Sequence, residues 1–175
     1  MGKLSGGGAL PPKPTSTDLI RGFVGGFIGI LGLSLLTKLV DQPLLMAPFG
    51  ATCVILFAAS ASPLAQPRNV IGGHFVSTLI GLVALYTLGN DMVVVAASVG
   101  LSVAAMQFFR VVHPPAGANP IVVLIAGAGA DGYGFDFLVF PVLLGAIFLV
   151  GVASLINNVG SPNKWPLYWY GLSSK

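Results

Sequence analysis

The chain has no glutamate, one cysteine, two histidines and very little charge: 7% of its 175 residues are Asp, Glu, Lys or Arg, against about a quarter in an ordinary soluble domain. Each scarcity excludes something. Cys53 has no second cysteine to pair with, so no intrachain disulfide can form, and its neighbours make it a small packing residue in preference to a nucleophile. One Cys and two His do not make a metal site. The five aspartates fall in tails and loops, and no glycine-rich strand-to-helix phosphate loop is present. An enzyme, or an ATP-driven pump within this chain, is therefore not expected, and no cofactor is called for. The net charge of +3 is small and spread over tails and loops, so no nucleic-acid surface is read here.

What the chain does have is apolar residues, 55% of the total, with a mean hydropathy of +0.91. That composition belongs to an integral membrane protein. Long apolar runs lie at 19–37, 70–89, 92–109 and 137–156, each near the roughly 20 residues that cross about 30 Å of hydrocarbon. Shorter runs lie between them at 53–62 and 120–130. Residues 1–17 are rich in Gly, Pro and Ser and read as a disordered tail; a secretory signal is not expected there, because the first apolar run is too long and too late. The membrane domain is placed at 18–158. Residues 159–175 follow as an interfacial tail, in which Trp165, Tyr168, Trp169 and Tyr170 beside Lys164 read as an aromatic belt at the headgroup level.

The least loop-like stretch is HPPAGANP at 113–120. Pro114 and Pro115 remove donors and block a helix, and Gly117 permits backbone angles that other residues avoid. Asn119 before Pro120 reads as an N-cap followed by a proline in the first helical position. An earlier segment, 41–52, repeats this pattern: setting Pro48 on Pro115 pairs Gly50 with Gly117, Ala51 with Ala118, Thr52 with Asn119 and Ala59 with Ala126. Thr52 also reads as an N-cap. Each is followed by roughly ten apolar residues, about 15 Å of helix and half a bilayer.

Charge placement then selects a topology. If both broken segments cross, there are six crossings, and an inside N-terminus puts Lys3, Lys13, Arg21, Arg68, Arg110, Lys164 and Lys175 on one side with only Lys38 opposite. Re-entrant segments would put Lys38, Arg68 and Arg110 outside together, against the positive-inside bias. The expected fold is all-α membrane: two inverted repeats of three segments, each a long helix, a broken half-helix and a long helix, with both termini cytoplasmic.

In such a pair, the N-terminal ends of the half-helices meet near the midplane, where dipoles and backbone N–H groups favour a small anion. Gly50, Ala51, Thr52, Gly117, Ala118 and Asn119 would line that place with neutral donors that release as well as bind. The plain alternative is two kinked helices whose Gly and Ala residues serve close packing. Arg68 and Arg110 are the cationic candidates, suited to a flat oxyanion, or are topology determinants reaching the interface. His74 lies inside an apolar run, as a proton carrier or as a donor to a freed carbonyl; His113 reads as a capping or backbone-bonding group. Gly22 with Gly26 and Gly25 with Gly29 form two small-xxx-small pairs, open to a helix of this chain or of a second copy.

At HPPAGANP the chain resembles the HPP family of integral membrane proteins, named for its His-Pro-Pro run. Residues 47–52 (APFGAT) and 66–74 (QPRNVIGGH) are similar to that family's pattern too, and the likeness extends over about 18–158. The closing SPNKWP at 161–166 resembles cyanobacterial or plastid-related members. What the resemblance implies is a small multi-pass protein of a bacterial (cyanobacterial) inner membrane or a plastid membrane. Nitrite transport is the activity of some relatives, and four transmembrane helices the usual description. The combined expectation is passage of a small anion, nitrite foremost, with lipid as the other partner. The alternatives are a non-transporting subunit that binds lipid or a protein, and a membrane enzyme working through His74 or His113.

Overall fold

Helix α1 (Ser16–Val40) starts where Thr15 and Asp18 cap each other. Asp18 N–H donates to Thr15 Oγ1 at 3.2 Å, and Thr15 N–H returns to Asp18 Oδ2 at 3.1 Å, an exchange that satisfies donors a helix start leaves bare. The computed structural model describes residues 8–40, 44–127, 132–161 and 164–169. Within them α1 is followed by α2 (Ala47–Ala58), α3 (Pro67–Leu88), α4 (Met92–Phe108), α5 (Asn119–Ala126) and α6 (Leu144–Ile156), with no strand among the described residues. Short 3₁₀ turns at Pro63–Ala65 and Pro114–Ala118 precede α3 and α5, and a π-helical turn at Leu138–Leu143 leads into α6. The chain is an all-helical membrane protein.

Three spans are long and apolar enough to cross a bilayer by themselves: Ser16–Leu39, Pro67–Leu88 and Leu138–Ile156. Ala47–Ala58, Met92–Phe108 and Pro114–Ala126 are apolar but shorter. Hydrogen bonds between helix ends fix how these pieces run. Arg21 Nη2 donates to Val159 O (3.2 Å), Asn157 Nδ2 to Leu56 O (3.0 Å) and Arg68 Nη2 to Phe109 O (3.0 Å). The starts of α1 and α3 thus share one end of the bundle with the ends of α2, α4 and α6. At the other end, Leu44 N–H meets Thr37 Oγ1 (3.0 Å), Asn90 Nδ2 meets Leu124 O (3.2 Å) and Tyr86 Oη meets Tyr133 O (3.2 Å). Successive helices alternate in direction.

The core forms in two blocks. Leu33, Phe49, Leu56, Phe57 and Leu149 join α1, α2 and α6, while Leu82, Leu85, Val123, Leu124 and Phe137 join α3, α5 and the approach to α6. Glycines set the closest approaches. A Cβ on Gly25 would run into Phe57 and one on Gly32 into Phe148, and one on Gly29 would sit 3.0 Å from Leu149 Cδ2. Gly22 and Gly26 face open space. The two glycine pairs therefore lie on different faces: Gly25 and Gly29 are taken up by α2 and α6 of this same chain, and only Gly22 and Gly26 point outward.

Four local expectations are corrected. The second helix begins at Ala47, with Met46 as its N-cap and Pro48 in its first turn, so Thr52 is interior and its hydroxyl bonds back to Pro48 O at 3.0 Å. Pro48 does not delay the helix to Thr52, because proline is at home in a first turn. At α5, Asn119 is the first helical residue and its side chain makes no cap bond; its amide is used elsewhere. Pro141 interrupts the last apolar run, leaving Phe140 non-helical (φ −121°, ψ 113°), because its ring clashes with the preceding turn and it has no N–H to give. Finally, Trp165 does not lie open on the surface as a belt residue would. It is buried, with Nε1–H on Ser60 O at 3.1 Å.

That tail closes over the link between α2 and α3. Gln66, fully buried, donates through Nε2 to Ser60 O (3.0 Å) and Ser62 O (2.9 Å) and accepts Leu167 N–H at Oε1 (2.8 Å). Trp169 remains exposed, and Tyr170 lies outside the described residues.

Candidate functional site

One face of α3 carries Asn69, Gly73, His74, Ser77, Thr78 and Gly81, all buried. They are spaced three and four apart, so they stack along one side of the helix. The glycines let neighbours in. A Cβ on Gly81 would stand 2.9 Å from Pro120 Cα, so the start of α5 lies directly on α3 there. The polar residues meet what is brought close.

Thr52 from α2, His74 from α3, His113 from the turn after α4 and Asn119 from α5 are all fully buried and touch directly. Thr52 Oγ1 lies 3.0 Å from His74 Nε2 and 3.0 Å from His113 Nε2. The imidazole centroids are 5.1 Å apart, and Phe49 packs edge-on against His74 with centroids 5.2 Å apart. Asn119 Nδ2 reaches His74 Nδ1 (2.9 Å), His74 O (3.3 Å) and Thr78 Oγ1 (2.8 Å). Its Oδ1 is buried without a partner among the described residues.

The partners assign the tautomers. His113 Nδ1 faces Leu64 O at 2.8 Å; a carbonyl only accepts, so Nδ1 carries the proton and Nε2 of neutral His113 is an acceptor. His74 Nδ1 faces an amide that donates, so its proton sits on Nε2 and points at Thr52. A hydrogen-bonded chain runs from Asn119 through His74 and Thr52 to His113 and Leu64 O.

The residues expected to share one lining are divided. Thr52 and Asn119 turn inward to the histidines. Ala51 and Ala118 line a shallow apolar groove of about 550 Å³ on the other side, with Ala47, Pro48, Pro114 and Pro115, and Gly50 and Gly117 have open space where a side chain would be. The two helix starts do lie side by side, but with fewer bare donors than expected. Pro48, Pro114, Pro115 and Pro120 have no N–H, while Phe49 N–H is bonded to Met46 O and Ala116 N–H to His113 O, each at 3.0 Å.

Arg68 and Arg110 stand together at the end of α4. Arg68 donates to Phe109 O (3.0 Å) and Arg110 O (3.4 Å), and Arg110 turns the chain with φ 57°. A guanidinium on the last carbonyls of a helix complements its dipole. Arg68→Gln is expected to lower stability by about 1 kcal/mol, read as an earlier thermal midpoint of the protein in detergent.

Thr78, Asn69 and Gln66 escaped the sequence reading. Asn69 Nδ2 holds Val112 O at 2.9 Å, and its Oδ1 accepts from Tyr168 Oη at 3.3 Å; these contacts brace the segment that presents His113. The available signal was a polar stripe at helical spacing inside an apolar run. Among the described residues no cluster of three His, Cys, Asp or Glu could hold a metal ion.

A profile described as "HPP, transmembrane region" matches residues 11–166. The chain belongs to the HPP transmembrane family. It is 37% identical over 168 residues to a transmembrane protein of Dictyostelium discoideum, covering 91% of this chain and 59% of the relative. A second transmembrane protein of that organism is 32% identical over 176 residues, covering 96% and 56%. The chain spans less than two thirds of the length of either. No solved structure matches. For this HPP chain, the motif's histidine is fully buried and links Thr52 to Leu64 O in the polar chain, with Pro114 and Pro115 directly after it.

Proposed function

We propose that this HPP chain moves a small anion across the membrane, with nitrite the candidate substrate, and that it performs no catalysis. The observation that carries the reading is the convergence of Thr52, His74, His113 and Asn119, from four separate segments, inside an apolar bundle. Uncharged polar groups at membrane depth are costly unless mutually bonded. Neutral polar groups suit an ion that must be both bound and released, and nitrite, small and bent with two accepting oxygens, would be received by hydroxyl, imidazole and amide groups that exchange their present partners for it.

The alternation of helix ends supports six crossings in two inverted halves, α1–α3 and α4–α6, with the broken elements α2 and Pro114–Ala126 at the centre. Arg21, Arg68, Arg110 and Lys164 collect at one end and Lys38 at the other, which favours that end, and both termini, on the cytoplasmic side. Assignment to a cyanobacterial inner membrane or a plastid membrane rests on the resemblance of residues 161–166.

The test is nitrite uptake by reconstituted vesicles. Wild type should exceed protein-free vesicles, and Asn119→Leu, close in volume but unable to donate, should fall towards them. Equal rates for wild type and empty vesicles would sink the reading. A second reading, a non-transporting subunit that takes a lipid or protein partner, or a second copy, on α1, is favoured by one observation: Gly22 and Gly26 lie open beside exposed Phe23 and Phe27. Purification with a stoichiometric partner and no anion flux would select it.

A further inference from the structure

The proton inventory of the buried chain leaves one place unfilled. Thr52 Oγ1 has one proton and two acceptors competing for it, Pro48 O and His113 Nε2, both at 3.0 Å. In the neutral state it can serve only one. If a proton binds His113 Nε2, the hydroxyl turns to Pro48 O and accepts from both imidazoles, using its two lone pairs. His113 Nδ1–H stays on Leu64 O and His74 Nε2–H stays on Thr52, so the added proton breaks no bond. His74 does not offer this. Its Nδ1 faces the Asn119 amide, and protonation there would set two donors against each other.

The charge, in contrast to the hydrogen bonds, has nothing to balance it. The titratable or charged groups on the elements packed around His113 are His74, Arg68 and Tyr86 of α3, Cys53 of α2, Arg110 in the turn itself and Tyr168 of the tail; α4, α5 and the two 3₁₀ turns carry none. None is an acid. A cation buried in such a place is unfavourable unless an anion accompanies it.

We infer that His113 Nε2 is a proton-binding site and that the proton crosses together with the anion, making the chain a proton–anion symporter. This rests on the transport reading above. One proton leaves a hydronium ion on the entry side, forms Nε2–H while the anion is present, and passes to water on the far side as the anion leaves, so one positive and one negative charge cross together and no net charge moves. Thr52 is the positioning residue, because the rotation of its hydroxyl opens and closes the acceptor.

The experiment measures initial nitrite uptake by vesicles holding the full chain, corrected for protein-free vesicles, because nitrous acid crosses lipid unaided. Potassium gradients with valinomycin set the voltage, and outside pH is varied separately. The expected result is uptake raised several-fold by acid outside and unmoved by an inside-positive potential, with His113→Gln, if it purifies as a single species, losing the pH response. Uptake that follows voltage and ignores the pH gradient overturns the symport while leaving anion transport standing. No uptake above protein-free vesicles overturns both. A His113→Gln protein that keeps the pH response overturns His113 as the site, and the wild-type comparison decides the coupling even if the variant fails to fold.

Discussion

Thr52→Val is expected to be among the most damaging single changes in the chain, although it alters shape hardly at all. Valine fills the same space, but His74 Nε2–H and His113 Nε2 both lose the hydroxyl that lies 3.0 Å from each. Leaving a buried donor or acceptor bare costs about 1–3 kcal/mol, and two of them together about 2–6 kcal/mol. Thermal unfolding in detergent should show a midpoint well below wild type, with Thr52→Ser close to it because serine restores the hydroxyl. A Thr52→Val protein as stable as wild type would falsify the role of Thr52 as the shared partner of the two histidines.

The second large effect comes from adding one methyl group. At Gly73 a Cβ would stand 2.7 Å from His113 Cβ and 2.9 Å from Val111 O. The second of these is backbone and cannot swing aside, so Gly73→Ala must push the His113 segment away from α3. Overpacking of this kind costs about 1–3 kcal/mol, and it also separates His113 from Thr52. Stability and transport should fall together. Gly22→Ala, where a Cβ meets nothing within 4 Å, is the control and should stay within about 0.5 kcal/mol of wild type. Were the two variants to behave alike, the close approach at Gly73 would not matter.

Hydropathy located the long helices well, since crossing a bilayer demands a run of apolar residues that is visible in any window: the runs at 70–89 and 92–109 became Pro67–Leu88 and Met92–Phe108. Proline sets two boundaries that hydropathy does not show. Pro48 opens a helix, whereas Pro141, hidden in an apolar run, disrupts one. The four cluster residues were each singled out, but as separate features, because contacts between residues 22, 45 and 61 positions apart leave no mark in local spacing. Thr52 and Asn119, paired in sequence as two caps, are both buried within helices and used differently. The side chains point at histidines, and neither caps a helix. Thr78 and Asn69 were readable in principle, as polar residues in register with His74 on one side of α3.

The unequal helix lengths have a consequence for the surrounding lipid. At about 1.5 Å per residue, the 25 residues of α1 extend about 37 Å, while the 17 of α4 extend about 25 Å. One flank is thicker than a typical hydrocarbon layer of about 30 Å and the other thinner. Lipid must therefore stretch beside one flank and thin beside the other, or the whole molecule must lean until α1 absorbs the excess. This mismatch couples the tilt of the bundle to acyl-chain length, and with it the depth at which the buried polar chain sits.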